Sequence, residues 1–198
     1  MIFKETDAVP YSLSPVSIAP DVWVFAPHPD DEVFGCGGAL ALHVQQGAKV
    51  HVVLMTAGEQ QSGQSAGVRL AESEAAAKVL GYAHVSCWHV PDRGVVFSEQ
   101  LVERVMACLI ETPAAVVYAP SLWEAHPDHR GCALTVAEAV RRSGGAHALW
   151  FYEVSAPLRA NALVDVSTVW ALKERAMACF ASQEAVLPYS DYIGALNR

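Results

Sequence analysis

A chain of 198 residues, 53% apolar and 17% charged, has room for one domain with a full core and is too apolar to stay disordered. Thirteen basic against twenty-one acidic side chains give a net charge of −8, which argues against a phosphate-backbone partner and against a polybasic membrane patch. The expectation is a single cytoplasmic domain over residues 1–198, with no nucleic-acid partner and a homo-oligomer left open.

No apolar run reaches the ~18 residues of a membrane span, and residues 1–20 lack the continuous apolar stretch of a secretory signal. The cysteines (Cys36, Cys87, Cys108, Cys132, Cys179) are odd in number and scattered, without a C-x-x-C pair. They read as buried thiols in a reducing compartment rather than as a disulfide frame or a Cys-based zinc site.

In chain order, Asp21 to Ala26 and Lys49 to Thr56 are short β-rich apolar runs and read as strands. Gln60 to Gly67, rich in Gln, Ser and Gly, reads as a loop at the end of the second strand. Arg69 to Leu80 is Ala-rich, carries Glu72 and Glu74 early and Lys78 late, and stops at Gly81, so it reads as a helix. His84 to His89 is a further strand. Ser98 caps a helix whose apolar residues from Leu101 to Ile110 recur at 3–4 spacing. Ala114 to Ala119 and Ala148 to Val154 are strands, with a helix between them that ends near Gly144. A last helix runs from Ser167 to Ser182. Strand–helix alternation of this kind predicts an α/β fold: a Rossmann-like, doubly wound, mostly parallel sheet of order 3-2-1-4-5 with helices on both faces.

Two motifs carry the chemistry. Strand 1 ends in Ala26-Pro27-His28-Pro29-Asp30-Asp31-Glu32; strand 4 ends in a loop, Ser121 to Ala125, followed by His126-Pro127-Asp128-His129. Both prolines suit a first helical turn, where the missing N–H costs nothing. Strands 1 and 4 are neighbours in the predicted order, and ligands bind at that switch point, outside the carboxyl ends of the strands. The topology therefore brings both His-Pro-Asp triplets together. Two imidazoles and a carboxylate with an open position are the ligand set of a catalytic zinc site. Adjacent Asp30 and Asp31 point apart, so one can ligate while the other handles protons; His126 and His129 share a helical face. Gly35-Cys36-Gly37-Gly38 lacks the third glycine of a dinucleotide loop, and the carboxylates before it would repel a pyrophosphate. Those glycines read instead as points of close approach. His43, His51, His84, His89 and His147 read as structural, and Trp23, Trp88, Trp150 and Trp170 as core. Trp123, in the loop before His126, is a candidate for stacking on a sugar face.

At these residues the chain resembles the PIG-L/LmbE-like family of zinc-dependent N-acetylglucosaminyl deacetylases. The likeness runs through residues 26–32, Gly37-Gly38, Thr56 to Glu59, Arg69 and Glu72, Asp92, His126 to His129, and Lys173 to Gln183. It implies one Zn²⁺ per chain, with Fe²⁺ open as the ion, held by His28, Asp31 and His129. It implies Asp30 as general base, His126 steadying the oxyanion or protonating the amine, and Asp128 orienting the His126 ring. Arg69 and Asp92 would contact the sugar from the rim of the pocket. Where some members carry a tyrosine two residues before His126, this chain has Glu124, which joins the substrate-side candidates. Members usually continue beyond the position of Arg198. The activity implied is removal of an N-acetyl group from an amino sugar or glycoconjugate. A metal-dependent amidase on another N-acylated small molecule, and a metal- or sugar-binding module without turnover, are the alternatives.

Overall fold

The computed structural model describes residues 13–59, 66–112 and 115–197. Within them the chain runs β1 (Asp21–Ala26), α1 (Asp31–Phe34), α2 (Gly37–Gln45), β2 (Lys49–Leu54), α3 (Ala66–Leu80), β3 (His84–Cys87) and α4 (Glu99–Ile110). It continues through β4 (Val116–Pro120), α5 (Pro127–Arg142), β5 (Ala148–Tyr152), a 3₁₀ turn (Ser167–Val169), α6 (Trp170–Met177), α7 (Ala181–Glu184) and α8 (Tyr189–Leu196). Most of the predicted 60–67 loop lies outside the described residues; Ala66 and Gly67 already belong to α3.

The five strands form one sheet of order β3-β2-β1-β4-β5, every pair parallel, as the doubly wound reading expects. The central strands are buried on both faces and therefore read as near-continuous apolar runs. Alternation still sorts their side chains. Val22, Val24, Ala26, Val50 and Val52 pack with Phe34, Leu40, Leu80 and Met177 in one layer. Phe25, Val53, Val117 and Ala119 pack with Leu101, Val105, Val136 and Ala139 of α4 and α5 in the other. Cys36 and Cys132 are buried thiols, whereas Cys87, Cys108 and Cys179 are partly exposed. Among the described residues no helix is long and apolar enough to cross a membrane.

Ser98 caps α4 as predicted, its hydroxyl accepting from Leu101 N at 3.3 Å, and Gly81 ends α3 at φ +79°. Two details differ from the sequence reading. Pro127 occupies the first helical position, but Pro29 lies in the turn before α1, because Asp30 rather than His28 is the residue that caps the helix. The helix predicted from Ser167 to Ser182 is broken around Phe180, which is fully buried against Phe34. Ser182, just beyond, is held by Glu72 of α3 through its backbone N (2.8 Å) and hydroxyl (2.6 Å). Burial of Phe180 and capture of Ser182 override the helical period.

Candidate active site

β1 and β4 pair in register, Val22 with Val116 through Val24 with Tyr118, so the loops leaving their carboxyl ends rise side by side. His28, Asp30 and Asp31 come from the first loop, His126 and His129 from the second, and all five line one cavity of about 410 Å³. Its other wall is apolar and includes Phe34, Val154 and Tyr189, the last two from segments that carried no site signal in the sequence. Tyr189, more than 150 residues beyond the first motif, stacks on Phe34 at 5.3 Å.

The first loop turns sharply at Asp30, whose φ of 124° is a conformation that L side chains rarely adopt. Such a backbone costs on the order of 1–3 kcal/mol and persists only when its surroundings fix it. Here Glu32 Oε2 accepts the Asp30 N–H at 3.0 Å, and Val33 N and Phe34 N bond Asp30 O at 2.9 and 2.8 Å. The Asp30 carboxylate is held by Arg69, Nη2 to Oδ2 at 2.8 Å. The guanidinium also donates to Pro29 O (2.9 Å) and Gly58 O (3.2 Å). Gly58, at φ +68°, leaves room that a side chain would deny: a Cβ there would meet Arg69 Nη1 at 2.2 Å. Arg69 is 1% exposed and stands behind Asp30 rather than on the rim of the pocket. The rim position expected for it is not where the structure puts it: its guanidinium is turned inward, to the buried carboxylate of Asp30.

Asp31 faces the other way. Its Oδ2 accepts the His28 N–H at 3.0 Å and lies 3.2 Å from both His28 Nδ1 and His129 Nε2. Each of these imidazoles meets an outer carboxylate at its second nitrogen. His28 Nε2 is 3.2 Å from Asp128 Oδ2 and 3.4 Å from Asp92 Oδ1, and His129 Nδ1 is 3.5 Å from Glu124 Oε2. His126 caps α5, its Nδ1 accepting from Asp128 N at 3.2 Å. A neutral His126 therefore carries its proton on Nε2. The expected orientation of the His126 ring by the Asp128 carboxylate is not what the structure holds. That carboxylate accepts from Arg93 N (2.8 Å) and Val95 N (3.1 Å) and turns to His28; only the backbone of Asp128 serves His126. The same contacts bring Asp92, buried, to the site. Gly131 allows this approach of α5 to the 92–95 segment, since a Cβ on it would stand 1.9 Å from Val95 O. Trp123 is 74% exposed and does not line the cavity, while Glu124 is 1% exposed and lies beneath His129.

The charges sort accordingly. Burial works against protonation of His28, yet its bonds to Asp128 and Asp31 win and raise it to about 9. His129, opposed by the same burial, is raised to about 10 by Asp31 and Glu124. Burial would lift Asp31, but the two imidazoles hold it far below the carboxylate range. Burial pushes Asp30 up to about 6, with Arg69 restraining the rise, and Glu32 up to about 7 despite Ser73. Burial and the neighbouring imidazoles lower His126.

A divalent cation fits this donor set. Tetrahedral ligands at about 2.0–2.1 Å from a zinc ion stand about 3.3 Å from one another, close to the 3.2 Å that separates Asp31 Oδ2 from each imidazole. His28, His126 and His129 offer nitrogens within 4.8 Å of one another, and His28, Asp92, His126 and Asp128 form an overlapping group; Asp31 belongs to neither group and joins the site through its 3.2 Å contacts to His28 and His129. Where two imidazoles and several carboxylates crowd one cavity, a cation answers the charge that protons on His28 and His129 otherwise balance.

A doubly wound parallel sheet with a His/Asp cluster at its switch point defines the class: an α/β protein with a cavity suited to a metal. Residues 23–140 match the family described as PIG-L, GlcNAc-PI de-N-acetylase, and the chain belongs to that family. It is similar to a diacetylchitobiose deacetylase of Thermococcus kodakarensis, 27% identical over 79% of this chain and 67% of that protein. It is also similar to a 4-oxalmesaconate hydratase of Pseudomonas putida, 26% identical over 84% of this chain and 75% of that one. Among solved structures, a conserved protein of Thermus thermophilus superposes with a TM-score of 0.80 at 26% identity, covering 90% of this chain and 86% of that one. An N,N'-diacetylchitobiose deacetylase of Pyrococcus horikoshii superposes at 0.74 with 25% identity, over 95% and 82%.

Proposed function

We propose that this protein is a zinc-dependent N-deacetylase of an N-acetylated amino sugar or glycoconjugate, with His28, Asp31 and His129 as the metal ligands. The observation that carries the reading is the division of labour between adjacent carboxylates. Asp31 Oδ2 sits between two imidazole nitrogens, while Asp30, in the same cavity, is turned to Arg69. When bound, zinc supplies a Lewis acid for the amide carbonyl and for water.

The chain's own groups do the rest. Asp30 takes the proton of the attacking water at a carboxylate oxygen; burial gives it a basicity suited to neutral pH, and its strained backbone and Arg69 fix its direction. His126 is held by Asp128 N with its Nε2–H free to donate to the oxygen that gains charge at the acyl carbon. The proton taken by Asp30 is the one that the departing amine nitrogen needs. Phe34, Val154 and Tyr189 offer apolar surface for the acetyl methyl and a sugar face.

The hydratase relative raises hydration of an anionic acid as a rival. The cavity lining contains no described Lys or Arg, and Arg69 is already committed to Asp30, which favours a neutral amide. The test is release of acetate from a panel of N-acetylated sugars, with and without added zinc, beside metal analysis of the purified protein. Turnover of an unsaturated acid with no acetate release from any sugar would overturn the reading.

A further inference from the structure

Glu124 has exposed neighbours on its N-terminal side, Leu122 and Trp123, yet its own side chain is turned inward. Its Oε1 accepts from Val154 N (2.7 Å), Ser155 N (3.2 Å) and Ala156 N (3.4 Å), and its Oε2 from Ser155 Oγ (2.5 Å) and Ser155 N (3.2 Å). All these donors belong to the segment just past β5, and Val154 and Ser155 are part of the cavity wall. The same Oε2 faces His129 Nδ1 at 3.5 Å, while Nε2 of that ring faces Asp31. His28 repeats the pattern, with Asp31 at Nδ1 and Asp128 at Nε2.

We propose that Glu124 is a positioning residue that sets His129 as a metal ligand and couples that ligand to the substrate-facing wall. The proposal rests on the metallohydrolase reading above. A neutral imidazole carries one proton, and an ionised carboxylate only accepts. Glu124 therefore places that proton on Nδ1 and leaves the lone pair of Nε2 beside Asp31, the arrangement by which outer carboxylates orient ligating histidines. The donors from Val154 to Ala156 fix the carboxylate, so a movement of that wall moves the partner of a ligand. Uptake of metal and order in the wall are then reciprocal: each favours the other.

Glu124→Gln separates this role from simple packing. Its oxygen can keep the Val154 and Ser155 N–H groups, but its NH₂ then points at His129 Nδ1 and drives the ring proton to Nε2, the nitrogen that faces Asp31. Zinc affinity of the full chain, measured by competition with a chromophoric chelator, should fall roughly 10–100-fold, and the visible bands of the cobalt-loaded protein should change. The unfolding midpoint of the metal-free protein should stay near that of the unmodified chain. Ser155→Ala, which removes a donor that does not touch His129, should also weaken zinc binding, by a few-fold. In the unmodified protein zinc should slow amide exchange at Val154 and Ser155, and Glu124→Gln should abolish that slowing.

Zinc affinity and cobalt bands unchanged in Glu124→Gln would overturn the proposal, as would amide exchange at Val154 and Ser155 that ignores zinc. A variant that fails to fold shifts the decision to Ser155→Ala, whose unchanged zinc affinity would also overturn it. An unmodified chain that takes up no zinc overturns both the metalloenzyme reading and this proposal. The predicted pattern in a protein that releases no acetate supports the proposal and removes only the deacetylase reading.

Discussion

Replacing Arg69 by Met tests whether that residue serves the base or the substrate. Its guanidinium and the Asp30 carboxylate are both buried and 2.8 Å apart. Opposite charges about 4 Å apart interact by about 4 kcal/mol at an effective dielectric of 20, equivalent to about three pH units in the ionisation of Asp30. Asp30, now at about 6, should rise towards about 9 in the variant. The sign follows from linkage. A carboxylate whose folded pKa exceeds its unfolded value of 3.8 weakens the fold as pH climbs through the interval between them. The deficit of the variant from this group should therefore be absent near pH 5, about 2 kcal/mol at pH 7.5 and about 4 kcal/mol by pH 9. A constant loss from the bonds to Pro29 O and Gly58 O adds to it. Urea unfolding of the metal-free protein across pH measures this difference. Asp30→Asn in the Arg69→Met background should remove its pH dependence. In assays of acetate release the acidic limb of the rate profile should move to higher pH, with kcat falling at neutral pH more than KM rises. A variant with an unshifted limb, pH-independent destabilisation and a raised KM alone would refute the argument and return Arg69 to the role of sugar contact.

Asp30→Asn should keep near-stoichiometric zinc while kcat falls by roughly 10²–10⁴, whereas Asp31→Ala should lose metal and activity together; metal analysis beside kinetics checks both, and a metal-free Asp30→Asn would exchange the two roles. Zinc affinity should rise steeply with pH, because His28 and His129, raised to about 9 and 10, must each give up a proton. Below pH 9 the apparent association constant should gain about 100-fold per pH unit for two displaced protons, and calorimetry in buffers of different ionisation heat counts those protons directly. Gly131→Ala should destabilise by about 1–3 kcal/mol, because its Cβ meets backbone at Val95 O, and should weaken zinc binding by displacing Asp128 from His28.

Periodicity and motif order were sufficient for the sheet. β1 falls on the predicted residues, and the 3-2-1-4-5 order expected of a doubly wound sheet is the one observed; from that order the meeting of the two His-Pro-Asp triplets followed. The gathering of His28, Asp30, Asp31, His126 and His129 was therefore readable without coordinates. Partners across the site were not. Arg69 and Asp92 both follow strand ends, which is as consistent with a rim as with the interior; only burial shows that Arg69 answers Asp30. Asp128 lies two residues from His126 in sequence, but the extended backbone of a helix cap turns its carboxylate to His28 and the 92–95 segment. Glu124 offered no hint of facing inward, since its donors arrive some 30 residues later. Tyr189 reaches the cavity through α8, whose place depends on the helix break at Phe180 and on the hold of Glu72 on Ser182.

His28 touches Asp128 and Asp31 touches His129, each pair about 100 residues apart in the chain. A nascent chain that has emerged only through α3 already holds Asp30, Asp31, Glu32 and Arg69, but none of the imidazoles and carboxylates of the second motif. Closing a loop of that length costs on the order of 4 kcal/mol in chain entropy beyond a constant, and the β1–β4 ladder, not the site, is what offsets it. During synthesis the cluster is thus a pair of incomplete halves that become a cavity only when β4 docks beside β1. The order of strands in the sheet is also a timetable: an acidic half-site waits, exposed, for the ribosome to deliver its complement.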